Sequence, residues 1–543
     1  MSASPLKVVA GDPTGPSKTP TVGKKLSGDA RGDLSGRLSQ ELVMALSGPV
    51  GCGMDLVRQS LQTQLEQRGY RVVHVKVTSH FIELSGELGI PDPTDLSNEF
   101  SRISSFQDLG NSLRDELGED LGAQIALRAI ALDRIAEAEK TSESEVDPAN
   151  ITPARVAYIV DQLKNPKEVQ LLHDVYGNLF FLIGVLSGYE RRKRNLQAKR
   201  MTEPQAVTLM DRDRAEKKKN GTSAGQQLEK TLKSADFFLR NSSGNSRELS
   251  DQLKRFIDLL HSEPGITPTI AERGMYSAFS AAMRSACLSR QVGASIVSQS
   301  GVIISTGCND VPKRGGGLYE YGEGDNRCIH KDGGMCFNDF HKDVVRDEIR
   351  DEIKKHGIDQ KTSELIAANI RSSTRLRDLI EFSRAVHAEM DALISVSREG
   401  GGSVKGAVMF TTTYPCHNCA RHIVAAGISS VYFIEPYAKS LAIDLHDDDI
   451  IHDPDDQSVW GKPRDDGKVA FLYFEGVSPN RFRDLFYSID DRKDSQGRAI
   501  KAAISTAPKK SPEFLDNYIQ LEGRIHKRIE ETIQAKKQGT PQQ

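Results

Sequence analysis

The sequence predicts an α/β protein built as two successive units, and three observations carry that prediction. Short apolar runs rich in Val, Ile, Leu and Phe alternate with stretches of helical spacing, the pattern of a mostly parallel sheet flanked by helices. The 543 residues are several times the roughly 150 residues of one typical domain. A stretch with two prolines and a glycine, His261-Ser-Glu-Pro-Gly-Ile-Thr-Pro268, interrupts the alternation near the middle of the chain.

Residues 1–36 are rich in Ser, Gly, Pro and Lys and cannot bury enough apolar surface to offset ordering entropy, so they read as a flexible leader. They hold no apolar stretch between a basic start and a small-residue cleavage site, so no export signal is expected. The first unit is expected over 37–260. It opens with the run Leu42-Val-Met-Ala-Leu46 as a strand, followed by Ser47-Gly48-Pro49-Val50-Gly51-Cys52-Gly53 as a glycine-rich turn. Leu56, Val57, Leu61 and Leu65 then recur at helical spacing. Further strands are expected at 70–77, 155–161, 179–186 and 235–240, with helices between them. Residues 261–271 form the linker, and the second unit covers 272–490. There the pattern gives an Ala-rich helix at 277–289, strands at 292–298 and 302–305, and a long insertion. A helix at 387–397, a strand at 406–411, a helix from Cys416 and a strand at 431–434 follow. Residues 491–543 turn polar and charged and read as a mobile C-terminal tail with one helical segment.

Composition narrows the function classes. Lys and Arg number 72 against 75 Asp and Glu, a net charge of −3, which argues against a protein whose main task is to coat nucleic acid. The longest apolar run, Leu179 to Leu186, falls far short of the roughly 18–20 uncharged residues of a bilayer crossing, so no membrane association is expected. Seven cysteines, two of them as Cys416-x-x-Cys419, fit a reducing compartment in which thiols bind metal, and the expected location is the cytoplasm.

The strongest chemical signal is His387-Ala388-Glu389 with Pro415-Cys416-His417-Asn418-Cys419. One imidazole and two thiolates are three good ligands for Zn²⁺, and a fourth tetrahedral position left open for water is the mark of a catalytic site. Zinc lowers the pKa of bound water toward about 7, and a carboxylate two residues from the ligating histidine can carry the proton. Glu389 is therefore the expected acid/base. Each ligand group also precedes a predicted helix, whose N-terminal N–H groups favour thiolate.

These motifs, together with Arg290-Gln-Val-Gly-Ala-Ser-Ile-Val297, Ser305-Thr-Gly-Cys-Asn309 and Arg384-Ala-Val-His387, resemble the deoxycytidylate branch of the zinc-dependent cytidine deaminases over roughly 272–487. The resemblance implies a cytidine deaminase-like α/β/α domain and hydrolysis at C4 of a free cytosine nucleotide. It further implies that Asn309 holds the sugar 3′-hydroxyl and that a backbone group at Ala388 meets the pyrimidine edge. The first unit resembles a P-loop nucleoside- or nucleotide-kinase-like fold in Gly48, Gly51 and Gly53, in Val160-Asp161 at a strand end and in the lid-like Arg191-Arg-Lys-Arg194. Its Walker A pattern is degenerate, since Met54-Asp55 replaces the phosphate-binding Lys and the Mg²⁺-binding Ser or Thr. The expected role of this unit is nucleotide binding or sensing, and the bland reading is an empty scaffold.

The fusion of these two units is similar to the bacterial anti-phage dCTP deaminases. That similarity implies conversion of dCTP, dCMP or both to the uracil nucleotide, with depletion of the dCTP pool during infection. It also implies a homo-oligomer, a nucleotide effector at the N-terminal unit and an inhibitory partner such as a small RNA. The basic runs Lys217-Lys-Lys219 and Arg191 to Arg194 are candidates for contact with such an RNA or with triphosphate, against the ordinary reading as solvated surface. Cys328, His330, Cys336 and His341 have the residue types of a second zinc site, at a spacing that fits no standard pattern. Two alternatives stay open: a deaminase of cytosine or adenine in RNA or single-stranded DNA, and a nucleotide-sensing regulatory protein. Aromatic content of 6% and a single Trp, Trp460, disfavour the first, because strand binders stack bases on aromatic rings.

Overall fold

β1 (Leu42–Ser47) is buried at every position, as expected of an unbroken apolar run in a parallel sheet covered on both faces. In this computed structural model, which describes residues 38–140, 154–214, 227–241, 246–437, 440–454, 464–487, 493, 495–498 and 513–537, β1 sits inside a six-stranded sheet. Its partners are β2 (Arg71–Lys76), β3 (Val156–Asp161), β4 (Phe180–Leu186), β5 (Phe237–Arg240) and, from far along the chain, β12 (Gly476–Val477). The order is β12-β5-β4-β1-β3-β2. The first five strands are parallel and β12 is antiparallel to β5. The expected leader, the Lys217–Lys219 run and Trp460 lie outside the described residues.

The second sheet joins β6 (Gly293–Val297), β7 (Ile303–Cys308), β8 (Val408–Thr413), β9 (Ser430–Glu435), β10 (Ile450–His452) and β11 (Val469–Tyr473) in the order β10-β11-β9-β8-β6-β7. β6 is antiparallel to both of its neighbours, whereas β8, β9, β11 and β10 are parallel. The molecule is thus mixed α/β with two parallel-rich sheets.

The Ala-rich helix of the second unit begins seven residues earlier than the sequence pattern suggests, at Ile270–Ala282, because a capping box starts it there. Glu272 N–H donates to the Thr269 hydroxyl (3.1 Å), and Thr269 N–H donates back to the Glu272 carboxylate (2.8 Å). The same buried carboxylate pairs with Arg255 (2.7 Å) and accepts from Val477 N–H (2.9 Å), so one residue ties the helix start to both halves of the chain. The long insertion forms two further helices, Phe337–Lys355 and Gln360–Ser373.

The helical segment of the C-terminal region is Leu515–Lys537, and it is docked where a mobile tail was expected. It buries Tyr518, Ile529 and Ile533 against the helices Phe81–Leu88, Leu121–Glu139 and Pro166–Tyr176, and Glu522 joins Glu41 in pairing with the buried Arg134. Tyr518 also donates to Glu41 (3.0 Å). Such a network is satisfied only when all of its members are in place, which is the physical reason a charged segment packs here. Among the described residues no helix is long and apolar enough to cross a membrane.

Candidate active site

β8 ends at Thr413, and the chain turns through Pro415 into the His417–Ala425 helix, with Cys416 as its N-cap. On a separate element, His387 caps the Ala388–Arg398 helix. The two helix starts converge. His387 Nδ1 lies 3.3 Å from each of the Cys416 and Cys419 sulfurs, and the three ligand atoms all fall within 4.8 Å of one another. Bonds of about 2.3 Å to sulfur and about 2.0 Å to nitrogen place N and S on one tetrahedral zinc roughly 3.5 Å apart, so donor chemistry and spacing both fit that ion.

The close approach of the Ala388–Arg398 helix to the sheet depends on Gly307 in β7. A Cβ there would press on the Ala388 carbonyl oxygen and the Ala392 nitrogen, well inside van der Waals contact. Asp391 fixes the helix on the same strand by accepting from Cys308 N–H (3.1 Å). Asp310 anchors the approach to His387: its backbone carbonyl accepts from Val386 N–H (3.0 Å), and its carboxylate accepts from Ala286 N–H (2.8 Å).

The three ligand groups share protons in a defined way. Hydrogen bonding from Cys419, aided by His387, brings Cys416 down to about 4, whereas Cys419 is pushed up by Cys416 and by burial. The Cys416 thiolate raises His387 to about 9. One thiolate beside protonated neighbours is the arrangement a divalent cation completes by displacing those protons. Glu389 is 4% exposed, and burial followed by the nearby thiolate raises its carboxyl above the ordinary range. A carboxyl raised in this way suits a group that must both accept and return a proton.

His387, Cys416 and Glu389 line a cavity of about 210 Å³ that also reaches Ala388, Asn309, Arg290, Tyr414 and Tyr437. Ala388 is fully buried as the first helical residue. Asn309 reaches the cavity, yet both ends of its amide are already engaged: Oδ1 accepts from Val292 N–H (2.7 Å), and Nδ2 donates to the Arg290 carbonyl (2.8 Å). One lone pair and one N–H remain for any further contact. Arg290 is exposed at the rim, 5.5 Å from the Tyr437 ring. The two tyrosines stand in segments that resemble the deaminases but were not expected at the site, since only the turn after β8 and the end of β9 bring them there. His330 pairs with Asp325 (3.3 Å), and the described residues gather no metal-ligand cluster at Cys328, His330, Cys336 and His341.

With this geometry in place, comparison with known proteins is informative. Residues 268–435 match the family described as the cytidine and deoxycytidylate deaminase zinc-binding region. The second half of the chain carries a deaminase zinc-binding domain. Its cofactor is zinc, and His387, Cys416 and Cys419 have the donors and the separations to hold it. The deoxycytidylate deaminase of Enterobacteria phage T4 is 28% identical over 165 residues, covering 30% of this chain and 76% of that protein. ComE operon protein 2 of Bacillus subtilis is 41% identical over 64 residues, or 11% of this chain and 33% of that one. Among solved structures, the dCMP deaminase of cyanophage S-TIM5 in complex with dCMP and dUMP aligns at 22% identity and a TM-score of 0.21, over 33% of this chain and 91% of that one.

The glycine turn of the first unit has a different character. Gly51 and Gly53 take positive φ (82° and 81°), the backbone form of an anion cradle, but the chain fills the cradle itself. The Asp213 carboxylate, fully buried, accepts from Val50 N–H (2.6 Å) and from Lys164 Nζ (2.8 Å). The turn's carbonyls are held as well: Lys164 donates to Gly48 (2.7 Å), Arg192 to Val50 (2.9 Å), Asn195 to Gly51 (2.8 Å) and Asn241 to Cys52 (2.8 Å). Gly48, Gly51 and Gly53 thus lie in a turn whose Val50 N–H is taken by a carboxylate of the protein.

Proposed function

We propose that this chain is a hydrolytic deaminase of free deoxycytidine nucleotides, dCTP, dCMP or both, releasing ammonia and the uracil nucleotide. The observation that carries the reading is the placement of buried Glu389 beside the His387, Cys416 and Cys419 donor set at a cavity of about 210 Å³. Bound zinc supplies the acidification of a water molecule near the ring. Glu389 would carry two protons in succession, the first from the water to ring N3 and the second from the new C4 hydroxyl to the amino group, which leaves as ammonia, and Ala388 would present helix N-terminal backbone to the base edge. The burial of Glu389 and Ala388 strengthens their polar contacts.

A free nucleotide is favoured over a nucleic-acid strand by the small cavity, the net charge of −3 and the scarcity of aromatic residues. Arg290 at the rim is the cation best placed to meet the substrate's phosphate. The union of a glycine-turn α/β unit, spanning 37–260, with a deaminase unit, spanning 272–490, supports a cytoplasmic enzyme of anti-phage defence that drains dCTP. Oligomerisation, an effector and an inhibitory RNA belong to the same proposal.

The test follows ammonia release from dCTP, dCMP, CTP and a cytosine-containing single strand, side by side, with Glu389→Ala as control. Turnover of the deoxynucleotides alone, lost in Glu389→Ala, supports the reading. Turnover of the strand, or undiminished activity in the variant, refutes it. Protection of cells against phage by the wild type and not by Glu389→Ala tests the defence role.

A further inference from the structure

The two sheets direct the carboxyl ends of their parallel strands toward one shared cavity. From the first unit it is walled by the residues following β1 and β4, with Phe238 of β5. From the second it is walled by the ends of β9, β10 and β11 and by Tyr414, just past β8. Its volume is about 390 Å³, against about 210 Å³ for the catalytic cavity. Parallel α/β sheets bind ligands in the crevice beyond their strand carboxyl ends, and here two such edges face each other.

We propose that this cavity is a binding site for an uncharged nucleoside, separate from the zinc centre. Three observations converge on it. At the glycine turn the Val50 N–H and Lys164, two donors a phosphate would use, are already taken by Asp213, which favours a ligand position elsewhere. The cavity offers aromatic walls for a planar base in Phe238, Tyr414 and Tyr437, and one buried hydroxyl, Ser187 Oγ, that has no hydrogen-bond partner among the described residues although Ser187 is only 6% exposed. It offers a triphosphate little cationic support: Arg192, whose Nε is already bound to the Val50 carbonyl, is the one Lys or Arg among its described lining, Asp211 and Glu229 stand beside it, and Asp453 is paired with Arg240 (2.7 Å). A base stacked on the rings and a sugar hydroxyl reaching Ser187 would satisfy the site without phosphate.

Tyr414 and Tyr437 also wall the catalytic cavity, so a ligand here and a substrate there contact the same two side chains. The binding claim does not depend on the deaminase reading, and its test is independent of turnover.

The experiment titrates the full-length, zinc-loaded protein calorimetrically with adenosine and thymidine, and with ATP and dTTP as charged comparisons. Leu232, which lines the cavity and not the zinc site, is replaced by Trp to fill the space. At least one nucleoside is expected to bind more tightly than its triphosphate. Leu232→Trp should weaken that binding at least tenfold at unchanged zinc content. Ser187→Ala, a smaller change that leaves the walls intact, should weaken it about fivefold. No nucleoside binding in the wild type, tighter binding of the triphosphates, or binding unaffected by both variants would overturn the proposal.

Discussion

Two corners of this molecule share a local form and differ in outcome. At each, a buried strand runs through a short turn into a helix N-terminus, where backbone N–H groups favour negative charge. After β8 the negative charge is a thiolate, Cys416, that faces a cavity together with His387 and Glu389, with Cys419 buried behind it. After β1 it is the carboxylate of Asp213, delivered from within the protein and shut off from solvent. The same geometry thus serves as a reaction centre where its anionic group meets open space, and as a joint where that group is sealed.

The sharpest way to test that contrast is Glu389→Gln, which keeps the shape of the side chain and removes its proton-carrying capacity. Deamination should fall by about 10²–10⁴ with zinc content unchanged, as ammonia release and metal analysis will report. Asp213→Asn should do the converse. Leaving Lys164, only 11% exposed, without its buried partner should cost about 3 kcal/mol in urea unfolding while turnover per bound zinc holds. A loss of turnover in Asp213→Asn comparable to that in Glu389→Gln would collapse the distinction.

Glycine substitutions resolve it more finely. Gly53→Ala forces an L side chain into positive φ and against the Asn241 amide, at a cost of about 2 kcal/mol in stability without a catalytic effect. Gly307→Ala pushes the Ala388–Arg398 helix off β7 at a cost of about 1–3 kcal/mol in urea unfolding, and because that helix starts at His387, turnover of the remaining folded protein should also drop roughly tenfold.

The zinc centre was legible in the sequence because its chemistry lies in two short motifs whose internal spacing is imposed by a helix N-terminus. The strands of the first unit were legible because unbroken apolar runs have few alternatives in a parallel sheet. Asp213 was not: it stands in the charged run Asp211-Arg-Asp-Arg-Ala-Glu-Lys217, indistinguishable from a solvated helix face, and its partner Val50 is 163 residues away. The docking of Leu515–Lys537 was hidden for the same reason, since Arg134 and Glu522 look like ordinary surface charges until the fold brings them together across 388 positions. The helix at Ile270 was misplaced because alanine content outweighed the Thr269 and Glu272 capping pair, which is the feature that sets the start.

The two-residue strand β12 has a consequence for how the chain can be divided. It leaves β11 after only Phe474 and Glu475 and crosses to β5, where Arg481 pairs with buried Asp236 (2.7 Å), while Arg240 at the end of β5 pairs with Asp453 (2.7 Å). The linker is therefore the most visible boundary and the least effective place to cut. Protein nicked within 262–268 should elute from a sizing column as one particle under native conditions and as two fragments only in denaturant. Exchanging either half of this chain alone would remove one side of that seam, so a chimera should need Asp236, Arg240, Asp453 and Arg481 matched across the join.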